Sequence, residues 1–162
     1  MRRIATALTL GVCLTQASCA PPEEFTEAER AAVADSIAQT IGTLLRAMEA
    51  EGWLAQLKYV DNSPEMFCVS YFADSLTFLS YDQYAAQVRA EAPSIRAVQF
   101  DYEDLQVRPL TRDYAFYSGK VREVLTDTAG VTHEVVAVES GVLIRRDDGW
   151  KYQKWHFSGK PK

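Results

Sequence analysis

From Ile95 onward the hydrophobic period is two. Val98, Phe100 and Tyr102 alternate with polar residues, and Leu105 and Val107 continue on the opposite parity. Successive strand side chains point to opposite faces, so a change of parity means one extra residue. The slip predicts a β-bulge near Glu103-Asp104 that bends a long strand. Tyr114–Thr126 reads as a second long strand, turned by Thr128-Ala129-Gly130 into a third over Val131–Arg146. Asp147-Asp148-Gly149 then leads into a fourth, Trp150–Ser158. Strands of this length twist, and consecutive hairpins make them antiparallel neighbours. Such a sheet needs an apolar element to cover one face.

The first half of the chain supplies it. Thr26 with Glu29 three residues later is a capping box, and Ile37, Ile41, Leu44, Leu45 and Met48 repeat at helical spacing behind it. Gly42 costs about 1 kcal/mol relative to Ala inside a helix, which predicts close packing there. Gly52 ends the helix, and Trp53, Leu54 and Leu57 suggest a short second one that Asp61-Asn62-Ser63-Pro64 terminates. Met66–Tyr71 and Leu76–Leu79 read as two short strands around an Ala73-Asp74-Ser75 turn. Ser80 with Gln83 caps a third helix that runs to about Glu91 and stops before Pro93. The expected fold class is α+β, with N-terminal helices packed on a strongly bent antiparallel sheet.

The N-terminus carries a different message. Arg2 and Arg3 precede the uncharged apolar run Ile4–Leu14, and Ala17-Ser18-Cys19-Ala20 follows. This is the pattern of a secretory signal, and a run of about 11 residues is too short to span a hydrocarbon layer of roughly 30 Å. The small residues before Cys19 resemble the lipobox of bacterial lipoproteins, with Gln16 where that family usually has Leu. The division that follows is signal peptide 1–18, a lipidated tether 19–25 attached through Cys19, and one domain over 26–162. Ala20 resembles an outer-membrane sorting residue, which implies a lipoprotein facing the periplasm and tethered by its lipid. Ordinary cleavage after Ala20 is the other reading, and it leaves a soluble periplasmic or secreted protein.

Seventeen basic residues against 22 acidic ones give a net charge of −5. Without a basic cluster to neutralise phosphates, nucleic acid is excluded as an expected partner. Of the three cysteines, Cys13 leaves with the signal and Cys19 is the lipid site. Cys68 remains, read as a small buried hydrophobe without a disulfide partner. His133 and His156 lie far apart, so neither a metal site nor a cofactor is expected. Ser118-Gly119 and Ser140-Gly141 lack the flanking glycine of a nucleophile elbow.

Trp53 followed by Tyr59-Val60-Asp61-Asn62, Ser80-Tyr81-Asp82, and Arg145–Lys151 followed by His156 resemble segments of the nuclear transport factor 2-like superfamily. The nearest branch is the SnoaL-like and ketosteroid-isomerase-like small domains, over Thr26–Ser158. The resemblance implies a cone-shaped fold whose cavity lies between helices and curved sheet. It implies binding of an apolar small molecule without demonstrable chemistry. Two alternatives stay open: an isomerase, lyase or hydrolase acting on an apolar substrate, and a protein-partner or assembly module whose cavity is filled. Homodimerisation through the sheet face is a further implication.

Within such a cone the expected lining is Trp53, Phe67, Tyr102, Tyr117, Glu139, Trp155 and His156, and the candidate catalytic groups are Glu139, His156 and Tyr117. Isomerase chemistry of this type needs a carboxylate base near Phe67, because an apolar side chain cannot take a proton. Met66-Phe67-Cys68-Val69 offers none, and Glu65 stands one or two positions early. Glu139 lies between two apolar runs, and either solvent or the cavity can receive it.

Overall fold

The computed structural model describes residues 24–72 and 75–161. The signal segment, Cys19, most of the tether, and Ala73 and Asp74 of the first turn lie outside the described residues. Among the described residues no helix is long and apolar enough to cross a membrane.

Thr26 caps helix α1 (Glu27–Glu51) as its sequence predicts. The Thr26 hydroxyl accepts the Glu29 N–H, and the Glu29 carboxylate accepts the Thr26 N–H at 2.8 Å. Val33, Ile37, Ile41, Leu44 and Met48 are buried along one stripe. They pack against Val98, Ala115, Tyr117, Leu143, Trp150 and Tyr152 from the sheet. The Trp150 indole donates to the Ser36 hydroxyl at 3.2 Å and so ties helix to sheet. Gly42 does not mark a close approach: a Cβ there would meet only the guanidinium of exposed Arg46, at 3.3 Å. A 3-10 helix, Trp53–Tyr59, continues the chain to Val60. Helix α2 (Tyr81–Glu91) has the expected Ser80–Gln83 box and ends in a 3-10 turn, Ala92–Ser94.

Six strands form one sheet: β1 (Phe67–Phe72), β2 (Ser75–Ser80), β3 (Ile95–Pro109), β4 (Tyr114–Asp127), β5 (Thr132–Arg146) and β6 (Gly149–Pro161). Their spatial order is β2-β1-β6-β5-β4-β3. The predicted bulge exists: the β3–β4 register shifts between Glu103 and Gln106, and Asp104 has a φ of 54°. A second shift lies between Val142 and Leu143, where β5 meets β6. These irregularities, with a further β3–β4 shift between Ile95 and Ala97, bend the long strands, and the sheet curls around α1.

The expected sheet is wholly antiparallel, and one pairing corrects that. Strand β1 runs parallel to β6, with Cys68 opposite Trp155. Its direction is set just upstream, where the Asp61 N–H donates to the Tyr152 carbonyl at 2.9 Å and Val60 bridges Tyr152 in parallel. Asp61 is itself buried and clamped. Arg146 donates to it through Nε at 2.8 Å and Nη2 at 2.7 Å, and the Ser63 hydroxyl donates at 2.6 Å. Burial alone would raise the Asp61 pKa, but these hydrogen bonds outweigh it and hold the carboxyl below its ordinary 3.8.

Two glycines should respond oppositely to alanine. Gly42→Ala relieves the helix of backbone entropy and is expected to raise stability by about 0.5–1 kcal/mol. At Gly141 a Cβ would sit 2.2 Å from the Lys154 carbonyl oxygen and 2.9 Å from the Trp155 Cα. Gly141→Ala is therefore expected to lower stability by about 1–3 kcal/mol through overpacking. Urea unfolding of the two variants and the parent checks both signs.

Candidate functional site

The helices cover only part of the concave sheet face, and a cavity of about 760 Å³ remains. Leu44, Leu45 and Met48 close one side of it, and Trp53 and Tyr84 reach in from the helical segments. The sheet contributes alternate residues, as the pleat requires: Phe100 and Tyr102 from β3, Glu123 and Leu125 from β4, Val135 and Glu139 from β5, Trp155 and Phe157 from β6. Asp127 and His133, where β4 ends and β5 begins, stand at the rim. Trp53 stacks on Phe100 with ring centroids 6.3 Å apart, and Trp155 meets Tyr84 edge-on at 5.0 Å.

Glu139 is a cavity residue. Its carboxyl accepts hydrogen bonds from the Tyr102 hydroxyl, at 2.7 Å, and from the Tyr117 hydroxyl. Tyr117 is fully buried behind Glu139, outside the cavity lining, and stacks edge-on against Tyr152. Burial pushes the Glu139 pKa above its ordinary 4.5, while the two tyrosyl hydrogen bonds hold it back. Tyr102 can come this close because Gly119 faces it, where a Cβ would lie 2.9 Å from the ring. Both tyrosyl protons are committed to Glu139, so neither is free to stabilise an oxyanion elsewhere. The cluster is a polar anchor in an otherwise apolar end of the cone.

A second carboxyl, which the sequence reading passed over, faces the same space. Glu123 is 8% exposed, pairs across the strands with Phe100 and Val135, and has no hydrogen bond among the described residues. Burial first, then repulsion from Glu139 and Glu91, raises its pKa to about 7. Its signal was present in the parity Tyr117, Gly119, Val121, Glu123, Leu125, a carboxylate on the apolar face of β4. Glu91 accepts from the Trp53 indole at 3.2 Å and from Gln87 at 2.8 Å.

Of the residues expected to line the cone, Trp53, Tyr102, Glu139 and Trp155 do so. Phe67, Tyr117 and His156 do not, which corrects that expectation. Phe67 is 45% exposed, and its neighbour Cys68 turns inward in its place. His156 is exposed because strand alternation gives the inward position to Trp155. Glu65 is also exposed, so no carboxylate serves β1. Cys68 is buried and unpaired, with a thiol pKa that burial pushes up to about 11, as befits an unreactive wall residue. Among the described residues no three His, Cys, Asp or Glu side chains are placed to hold a metal ion.

The SnoaL-like domain family model matches residues 37–161. No curated protein matches the chain in sequence. Among solved structures, a nuclear transport factor 2-like superfamily protein from Salmonella enterica serovar Typhimurium LT2 superposes with a TM-score of 0.65 at 15% identity, covering 82% of this chain and 94% of that one. A hexachlorocyclohexane dehydrochlorinase of the type 3 form from Novosphingobium barchaimii LL02 gives 0.59 at 14% identity, covering 85% and 91%. The type 2 form of that dehydrochlorinase gives 0.62 at 13%, covering 85% and 93%. At such identities the likeness shows the fold.

The raised Glu123 pKa has a signed consequence. Between pH 4.5 and about 7 the folded chain holds a proton there that the unfolded chain has lost. Stability from this group is therefore complete below pH 4.5 and lost as the pH rises to 7. At roughly 1.4 kcal/mol per pH unit the loss is at most about 3 kcal/mol. Glu123→Gln should accordingly melt above the parent at pH 8 and level with it at pH 4, as followed by thermal denaturation.

Proposed function

This chain belongs to the SnoaL-like domain family, and we propose that it binds an apolar small molecule in the cone. The cavity carries this reading. Its volume of about 760 Å³ lies in the range of small-molecule sites, and its walls combine aromatic and aliphatic side chains with polar and acidic ones. The structural neighbours named for hexachlorocyclohexane support a small apolar occupant. Binding is favoured over catalysis on two observations. The tyrosyl donors are engaged by Glu139, and the histidine expected to act with it points away. The reading as isomerase, lyase or hydrolase retains Glu139 and Glu123 as its acids or bases.

Export and anchoring are the second part of the proposal. The basic start, short apolar run and small residues before Cys19 support a lipoprotein of the cell envelope, held at the outer membrane with its domain in the periplasm. Several acyl chains on one cysteine hold a protein durably at a bilayer, since each buried methylene contributes about 0.8 kcal/mol.

Native mass spectrometry of the purified protein is expected to show a species heavier than the apo chain, or saturable uptake of an apolar probe that quenches Trp53 and Trp155. Ser70 lines the cavity wall. Ser70→Phe should weaken that binding at least tenfold with an unchanged far-ultraviolet circular dichroism spectrum. A protein with neither retained ligand nor saturable binding is not a binding protein of this kind. For the anchor, cells fed a labelled fatty acid should label the parent and not Cys19→Ala; an unlabelled parent removes the lipoprotein assignment.

A further inference from the structure

The charge of the cavity wall is one-sided. Glu91, Glu123, Asp127 and Glu139 line it, and among the described residues no lysine or arginine does. Three of these acids already have partners. Glu91 holds the Trp53 indole and Gln87, and Glu139 holds two tyrosines. Asp127 at the rim accepts the Val131 N–H at 2.8 Å and approaches His133 Nε2 at 3.6 Å. Glu123 is the exception, an 8% exposed carboxyl that faces the cavity with no hydrogen bond among the described residues. A carboxylate so placed is poorly hydrated, and a partner in the cavity would offset that cost.

The neighbours of Glu123 define what would satisfy it. Phe100 is its partner across β3, and Phe100 stacks on Trp53, whose indole is fixed by Glu91. Val135 is its partner across β5. From α2 come Tyr84 and Glu91, and from deeper in the cone come Tyr102 and Glu139. A neutral hydroxyl would offer Glu123 one hydrogen bond and leave the mutual repulsion of the carboxyls untouched. An anion would add to that repulsion. A cation pairs with the carboxylate and relieves the repulsion, and aromatic faces beside it add cation–π attraction.

We propose that the ligand of this cavity is a protonated amine with an apolar body, its ammonium group paired with Glu123 beside the Trp53–Phe100 stack. This rests on the small-molecule reading above and gives it a ligand class. It has a proton signature. Below pH 7 the empty site holds Glu123 largely neutral, so binding an ammonium ion expels a proton from the carboxyl into solution.

The test uses three ligands of one shape: 2-naphthylmethylamine, 2-naphthylmethanol and 2-naphthoate, titrated calorimetrically into the purified protein. At pH 8 the amine is expected to bind at least tenfold tighter than the alcohol, with the carboxylate weakest. The amine's advantage should fall to within about threefold in Glu123→Gln, whose fold is checked by circular dichroism. Should that variant not fold, the parent at pH 5 does the same work, because protonation neutralises Glu123 there. At pH 6.5, heats in buffers of differing ionisation enthalpy should report proton release with the amine and none with the alcohol. Equal affinity of amine and alcohol, or an advantage that survives Glu123→Gln, overturns the ammonium assignment and leaves the cavity as a binding site. Failure of all three to bind overturns the assignment as well, and reaches the binding reading only if native mass spectrometry also finds no retained ligand.

Discussion

Four strands of 13 to 15 residues stand in one sheet and cannot lie flat against a single helix. Their right-handed twist accumulates, and the register shifts at Glu103–Gln106 and Val142–Leu143 concentrate the bend. A curved surface of that length exceeds what one α1 stripe covers. Ile37, Ile41, Leu44 and Met48 fill one part of the concave face, and the remainder becomes the cavity. The hollow is thus a geometric result of long bent strands meeting one helix, and every group in it inherits its position from that mismatch.

The polar groups of the cone divide by how they are satisfied. Asp61 is buried outside the cavity and held ionised by a bidentate arginine, so it fixes the chain entering β1 against the β5–β6 hairpin. Glu139 is half-buried on the cavity wall and answered by two tyrosines, which makes a rigid end to the cone. Glu123 has no such answer from the described protein. Carboxyls therefore differ in three ways, set by neighbours alone: a clamp, an anchor and a cavity-wall group without a protein partner among the described residues. Small-residue positions make this possible, since Gly119 leaves room for Tyr102 to reach Glu139.

Much of the framework was legible in the chain. Capping boxes at Thr26 and Ser80, the helical stripe, the turn residues and the parity slip at Glu103-Asp104 are local signals, each readable within a dozen residues. The family resemblance joined them into a cone. The failures are non-local. The parallel pairing of β1 with β6 joins segments remote in sequence, and hairpin logic reads only neighbours. Phe67 was placed inside the cone while the pleat gives that position to Cys68. Gly42 read as a packing signal, yet nothing packs on it.

What the sequence determined by itself is the set of elements and the parity of each strand, because propensity, capping and period are properties of short segments. It also fixed that Trp155 and His156 face opposite ways, although not which of the two faces inward. Only the tertiary structure decided that, along with the burial of Glu139 against Tyr102 and Tyr117 and the exposure of His156. The reason is that the inside of a strand has no meaning until a second surface covers one face. Here that surface is α1, and its partial cover made one face into core and cavity together.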